Sequence, residues 1–118
     1  MSTARITIYQ KPTCTTCRQV YNALKESGVD FETVNYFVEP IPKATLQRLL
    51  KKMGLRPREI LRTTEETYRR LGLAKSAHSD AELVDLMVAH PELIQRPIVE
   101  RGERAVLARP ADRLKEIL

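Results

Sequence analysis

Two cysteines, three residues apart, are the side chains best equipped for chemistry in this sequence. They sit in Pro12-Thr13-Cys14-Thr15-Thr16-Cys17-Arg18, and the chain holds no other cysteine. A thiolate is the reactive form of cysteine, and its formation is favoured at a helix N-terminus or beside arginines. The pattern around the pair supplies the first condition. Arg5-Ile6-Thr7-Ile8-Tyr9 alternates like a half-buried strand, and Cys17, Val20, Tyr21 and Leu24 follow at helical spacing. Cys14 therefore falls at or just before a first helical turn, where unpaired N–H groups favour a thiolate or a bound anion. Cys17 falls one turn in, on the apolar face. The expectation is that Cys14 is the more exposed and more acidic of the two, and that Cys17 is less exposed and placed to attack a sulfur adduct on it. Two inert buried thiols are the plainer alternative. A zinc site drawing on His78 and His90 is another, but their separation does not match the short spacing of finger-type ligands.

Three arginines come next. Arg62 follows Glu59-Ile60-Leu61, Arg96 precedes Pro97 and Arg109 precedes Pro110. Each stands at an element boundary. A guanidinium presents paired N–H donors that suit a tetrahedral oxyanion. Nothing in the sequence alone gathers the three, and each taken singly reads as a surface charge.

The elements that must position these residues can be read in chain order. Residues 4–10 predict a first strand and about 15–27 a helix closed by Gly28. Residues 31–36 predict a second strand, completing a parallel βαβ unit. From about 41 to 90 the pattern is helical throughout. Leu46, Leu49, Leu50 and Met53 mark a helix ending at Gly54, and Pro57 opens a short one. Thr63 with Glu66 suggests a capping box, and Ser79 with Glu82 another. Ile98-Val99-Glu100 and the segment 104–109 then predict a hairpin around Arg101-Gly102-Glu103. Pro110 opens a last helix with Leu114, Ile117 and Leu118 as its apolar positions. The order resembles the thioredoxin-like (glutaredoxin-like) fold, an α/β class with a mixed four-stranded sheet. Its helical insertion would lie between the βαβ and ββα halves. That resemblance implies a cis peptide at Arg96-Pro97.

With 118 residues, 42% hydrophobic and 30% charged, the chain predicts one ordinary globular domain spanning 1–118. Met1-Ser2-Thr3-Ala4 leads straight into the strand pattern without a secretory core, and no segment is apolar enough to span a membrane. The expectation is a cytoplasmic protein whose cysteine pair does redox chemistry. The net charge is +5 and the pI about 9.5. Two Phe, four Tyr and no Trp supply few stacking platforms, so nucleic acid is not an expected partner.

The sequence also resembles the glutaredoxin-like arsenate reductase family (ArsC), which includes the Spx transcription regulators. The matching pieces are Ile8-Tyr9-x-x-Pro12-x-Cys14-x-x-x-Arg18, Leu61-Arg62, the block His90-Pro91-x-Leu93-Ile94-x-Arg96-Pro97-Ile98-Val99, and Arg109-Pro110. The resemblance implies that Cys14 is the catalytic thiol and that Arg62, Arg96 and Arg109 bind arsenate. It implies glutathione with glutaredoxin, or thioredoxin, as reductant, with no bound cofactor or metal, and a monomer. Two departures stand out. The best-known reductases have a histidine where this chain has Gln10, and they usually lack the second cysteine. Cys17 follows the Spx-like branch, whose partner is RNA polymerase, through the C-terminal domain of its α chain; that branch tends not to keep the full arginine set. A general thiol-disulfide oxidoreductase is a further alternative, with Cys14 and Cys17 cycling between dithiol and disulfide.

Overall fold

A computed structural model of the chain describes residues 5–118. Ala4, expected to begin the first strand, and the Met1–Thr3 lead-in fall outside the described residues. Two compact units are present. One comprises the chain up to Glu39 together with Arg96–Leu118, and the other is Pro40–Gln95.

The first unit holds a four-stranded sheet in the order β2-β1-β3-β4. Strand β1 is Ile6–Gln10, β2 is Phe31–Asn35, β3 is Ile98–Arg101 and β4 is Arg104–Leu107. The β1–β2 pair is parallel, with Ile6 opposite Phe31 and Gln10 opposite Asn35. Its crossover is helix α1, Thr15–Ser27. The β1–β3 and β3–β4 pairs are antiparallel. This is the mixed α/β sheet that the strand and helix patterns predicted.

Alternation along β1 decides the packing, because successive side chains point to opposite faces. Ile6 and Ile8 join Val20 and Leu24 of α1 in one core with Val99, Val106, Ala108, Leu114 and Ile117. Tyr9 lies on the opposite face with Glu100, and its hydroxyl donates to the Glu100 carboxylate at 3.0 Å. Helix α1 stops because Gly28 takes φ +75°, a left-handed conformation that only glycine enters cheaply. The hairpin turns at Gly102-Glu103, where Gly102 alone carries a positive φ, +58°. Arg101 and Arg104 close it as the last paired residues. The Arg96-Pro97 peptide is cis, as the fold resemblance implied, and so is Arg109-Pro110, which nothing in the sequence suggested.

The last helix is a 3-10 segment, Ala111–Glu116. Residues three apart eclipse each other in that geometry. Leu114 and Ile117 therefore share the buried face, each 3% exposed. Leu118 was expected on the same face. It lies one residue further round and is 49% exposed.

The second unit contains no named strand and is helical. Its α-helices are α2 (Lys43–Met53), α3 (Glu66–Arg70) and α4 (Asp80–Ala89), with short 3-10 turns at Pro57–Ile60, Leu73–Lys75 and Pro91–Leu93. Leu46, Leu49, Ile60, Leu73, Leu83, Met87, Leu93 and Ile94 are its large fully buried side chains. Ser79 caps α4 as expected: its hydroxyl accepts from the Glu82 N–H at 3.2 Å, and Glu82 Oε1 accepts from the Ser79 N–H at 2.9 Å. The Thr63 box does not form. The Glu65 N–H donates to the Arg62 carbonyl, closing a turn over residues 62–65. That turn moves the start of α3 to Glu66, with Glu65 in the cap position and no side-chain cap.

Candidate active site

The site grows from the junction of β1 and α1. The Cys14 N–H donates to the Lys11 carbonyl at 2.9 Å, which turns the chain off the end of β1. Cys14 is then the N-cap of α1, extended at φ −78° and ψ 128°. Its Sγ accepts from the Cys17 N–H at 3.4 Å. A sulfur thus does the work usually given to a Ser or Asp oxygen at this position. The bond strengthens when the sulfur is charged, because charge-assisted hydrogen bonds are the stronger ones.

Cys14 is half-buried and Cys17 fully buried, and both are free thiols. Burial of Cys14 works against ionisation. It is outweighed by hydrogen bonds from the Cys17 thiol and backbone and by the positive charges of Arg96 and Arg109, so the Cys14 pKa is lowered. Cys17 moves the other way, to about 12, because it is buried and its proton is engaged by Cys14. The two thiols thus divide as the helix register predicted. Cys14 is the more readily ionised sulfur and Cys17 the less acidic one.

Arg96 and Arg109 reach this corner from the far end of the chain. Arg109 Nη1 donates to the Thr16 hydroxyl in the first turn of α1, at 3.2 Å, and to the Arg96 carbonyl at 3.3 Å. Arg96 is 7% exposed. Its Nε and Nη1 are buried and have no hydrogen-bond partner among the described residues. Its guanidinium lies over the Phe37 ring, 5.5 Å from the centroid. A buried cation with two donors unused is costly unless an anion completes it. Lys11 Nζ lies over the same ring at 4.8 Å.

Arg62 belongs to the helical unit. It follows Leu61, which bridges Ile94, and its N–H donates to the Leu93 carbonyl at 2.8 Å. It is half-buried, and its Nε also lacks a hydrogen-bond partner among the described residues. Gln10 ends β1 at 6% exposure, with Oε1 buried and unpartnered among the described residues. With Pro12, Arg18 and Tyr21 it lines a cleft of about 200 Å³. His78 and His90 take part in no metal-sized cluster of ligand-type side chains among the described residues. No helix among them is long and apolar enough to cross a membrane.

Sequence reasoning missed Lys11, Thr16 and Phe37. Each is an ordinary residue by type, and only contact with Arg96 or Arg109, or with the ring that holds Arg96, gives it a role. The one available signal for Phe37 was its place two residues past β2, at the sheet end where β1 delivers Cys14.

Comparison with known proteins shows the family of the chain. The sequence profile of the ArsC family matches residues 9–117. The chain is 40% identical to the uncharacterised protein YfgD of Escherichia coli, over 98% of each chain. It is 37% identical to an arsenate reductase of the same organism, covering 98% of this chain and 82% of that one. The structure matches an arsenate reductase from Vibrio cholerae with a TM-score of 0.93 at 33% identity, over 99% of this chain and all of the other. A profile match over nearly the whole length, joined to a structural match over the whole fold, makes this chain a member of the ArsC family.

Proposed function

We propose that this protein is a thiol-dependent arsenate reductase with Cys14 as its nucleophile. The observation that carries the reading is Arg96: a buried guanidinium with two unused donors, acting electrostatically on a thiol already disposed to ionise. A plain disulfide reductase has no need of an unsatisfied cation there. Arg109 adds a second positive charge, bonded to Thr16 in the first turn of α1. Arg62 enters through the family resemblance as the third oxyanion ligand, and its unpartnered Nε is compatible with that role.

In the first step the Cys14 thiolate attacks arsenic, an As–O bond breaks, and the oxygen leaves as water after protonation. The product is a thiol–arsenate adduct still at As(V). A second thiolate then attacks Cys14 Sγ. The S–As electron pair goes to arsenic, which departs as arsenite, and the two sulfurs become a disulfide. Two electrons pass from two thiols to one arsenic. The second thiol is glutathione, followed by glutaredoxin, or it is Cys17, leaving a Cys14–Cys17 disulfide for thioredoxin or glutaredoxin to reduce. Cys17 must lose its proton to serve, and adduct formation assists by removing the negative charge on Cys14 that opposes it. The protein carries no cofactor or metal in this reading and acts as a monomer in the cytoplasm.

The test is arsenite release by wild type, Cys14→Ser and Cys17→Ser with each reductant. Wild type is expected to turn over, and Cys14→Ser to lose activity with both systems. Loss in Cys17→Ser with thioredoxin alone identifies Cys17 as the resolving thiol. Absence of turnover by wild type with both systems rejects arsenate reduction.

The hydrogen-bonded cysteine pair supports a second reading, an Spx-type redox switch that binds RNA polymerase through the C-terminal domain of its α chain. Binding to that domain that appears on oxidation and vanishes in Cys14→Ser would favour the switch. A general thiol-disulfide oxidoreductase would reduce a model disulfide equally well after Arg96→Ala.

A further inference from the structure

We infer that Phe37 is a positioning residue for the oxyanion site: its ring holds the Arg96 guanidinium in place without using any of the donors the anion needs. The inference rests on the anion-gripping role proposed for Arg96.

The physical argument begins with what a buried arginine normally requires. It is usually steadied by a carboxylate, which takes its N–H groups and cancels its charge. A carboxylate on Arg96 would compete with an incoming oxyanion for the same donors. An aromatic face attracts the cation through its quadrupole and accepts no strong hydrogen bond in return. At 5.5 Å, Arg96 Cζ is within the range of that attraction. The donors left over, Nε and Nη1, are the ones without partners. Arg96 is also held by its backbone, since its carbonyl accepts from Arg109 Nη1. Arg96 is therefore held at two places, its guanidinium by the ring and its main chain by Arg109, and neither contact consumes the guanidinium N–H groups.

Phe37 is itself immobilised by the turn that follows β2. Its N–H donates to Asn35 Oδ1 at 3.1 Å. The Val38 and Glu39 N–H groups donate to the Asn35 carbonyl at 3.0 and 2.8 Å. Its ring packs on Tyr36, centroids 5.1 Å apart, and Tyr36 is 1% exposed. Lys11 on the same ring brings a second cation to it. Two like charges sharing one ring oppose each other until an anion arrives, so the arrangement favours the occupied state.

The experiment compares wild type, Phe37→Leu and Phe37→Tyr, each with Arg96 intact and with Arg96→Ala. Arsenate kinetics are measured beside the pH profile of Cys14 alkylation by iodoacetamide. Phe37→Leu keeps an apolar side chain but removes the ring. It is expected to raise the arsenate KM about fivefold, with the loss falling on KM and not on kcat. The alkylation midpoint should move up, because Arg96 no longer stays near the thiolate. Phe37→Tyr, which retains the π face, restores both. On Arg96→Ala, Phe37→Leu should add almost nothing, since the partner is already gone. Thermal melting checks that each variant folds, and Phe37→Met replaces Phe37→Leu if that variant does not. The inference is overturned if Phe37→Leu matches wild type in both measurements, or costs the same factor with and without Arg96. Should wild type fail to reduce arsenate, the alkylation profile decides alone: an upward shift upholds the role of Phe37, and an unmoved midpoint ends it.

Discussion

At the scale of single residues, the two cysteines differ only in where the helix register puts them. Cys14 caps α1 and is half-buried; Cys17 sits one turn in and is fully buried. Desolvation acts on both. Only Cys14 has hydrogen bonds and arginine charges that stabilise its anion enough to lower its pKa. The sign of the pH dependence follows. With its pKa lowered, Cys14 remains a thiolate as the pH falls past the point where a free thiol protonates. Cys17, at about 12, stays protonated through the neutral range. Mass spectrometry after brief iodoacetamide treatment at neutral pH should find the label on Cys14 and almost none on Cys17. The midpoint of Cys14 labelling should lie below that of an unstructured cysteine peptide. Equal labelling of the two would contradict the assignment. This difference was legible in the residue types and their spacing. The unpaired donors of Arg96 were not, because burial and a missing partner are properties of the folded environment.

Among the elements, the local signals that held were those whose chemistry closes within a few residues. Ser79 and Glu82 bond each other's backbone N–H groups wherever the chain makes a helix there, and they do so at the start of α4. Replacing an N-cap Ser by Ala costs about 1 kcal/mol. Ser79→Ala should therefore lower stability by roughly that amount in urea unfolding, with the slope of the transition unchanged. A loss below a few tenths of a kcal/mol would mean that the box contributes nothing. Thr63 and Glu66 carry the same signature and form no box, because residues 62–65 close a turn and the helix starts only at Glu66, which puts Glu65 and not Thr63 in the cap position. A three-residue motif does not record such competition. Leu118 failed for a related reason. The last helix took 3-10 geometry, and a change of period by half a residue per turn moves the final side chain off the buried face.

At the scale of the whole molecule, the net charge of +5 bears on function through rate more than through affinity. An excess of positive charge draws oxyanions toward the protein, and salt screens it. Raising KCl from about 20 mM to about 500 mM shrinks the screening length severalfold. The arsenate kcat/KM should fall by about three- to tenfold over that range. A flat salt dependence would show that the bulk charge plays no part in capture. By itself the sequence determined the order of strands and helices, the break into a helical insertion, the caps at Gly28 and Ser79, and the place of Cys14 at the start of α1. All of these depend on periodicity and short-range hydrogen bonding, which a chain carries in its local order. Only the tertiary structure decided what surrounds that sulfur. Arg109 arrives at α1 because β4 pairs with β3 and β3 with β1, and Phe37 meets Arg96 because the end of β2 and the start of β3 flank the same end of β1. Such contacts join residues 59 to 93 positions apart. Their energies come from burial and charge, which exist only once the sheet has formed.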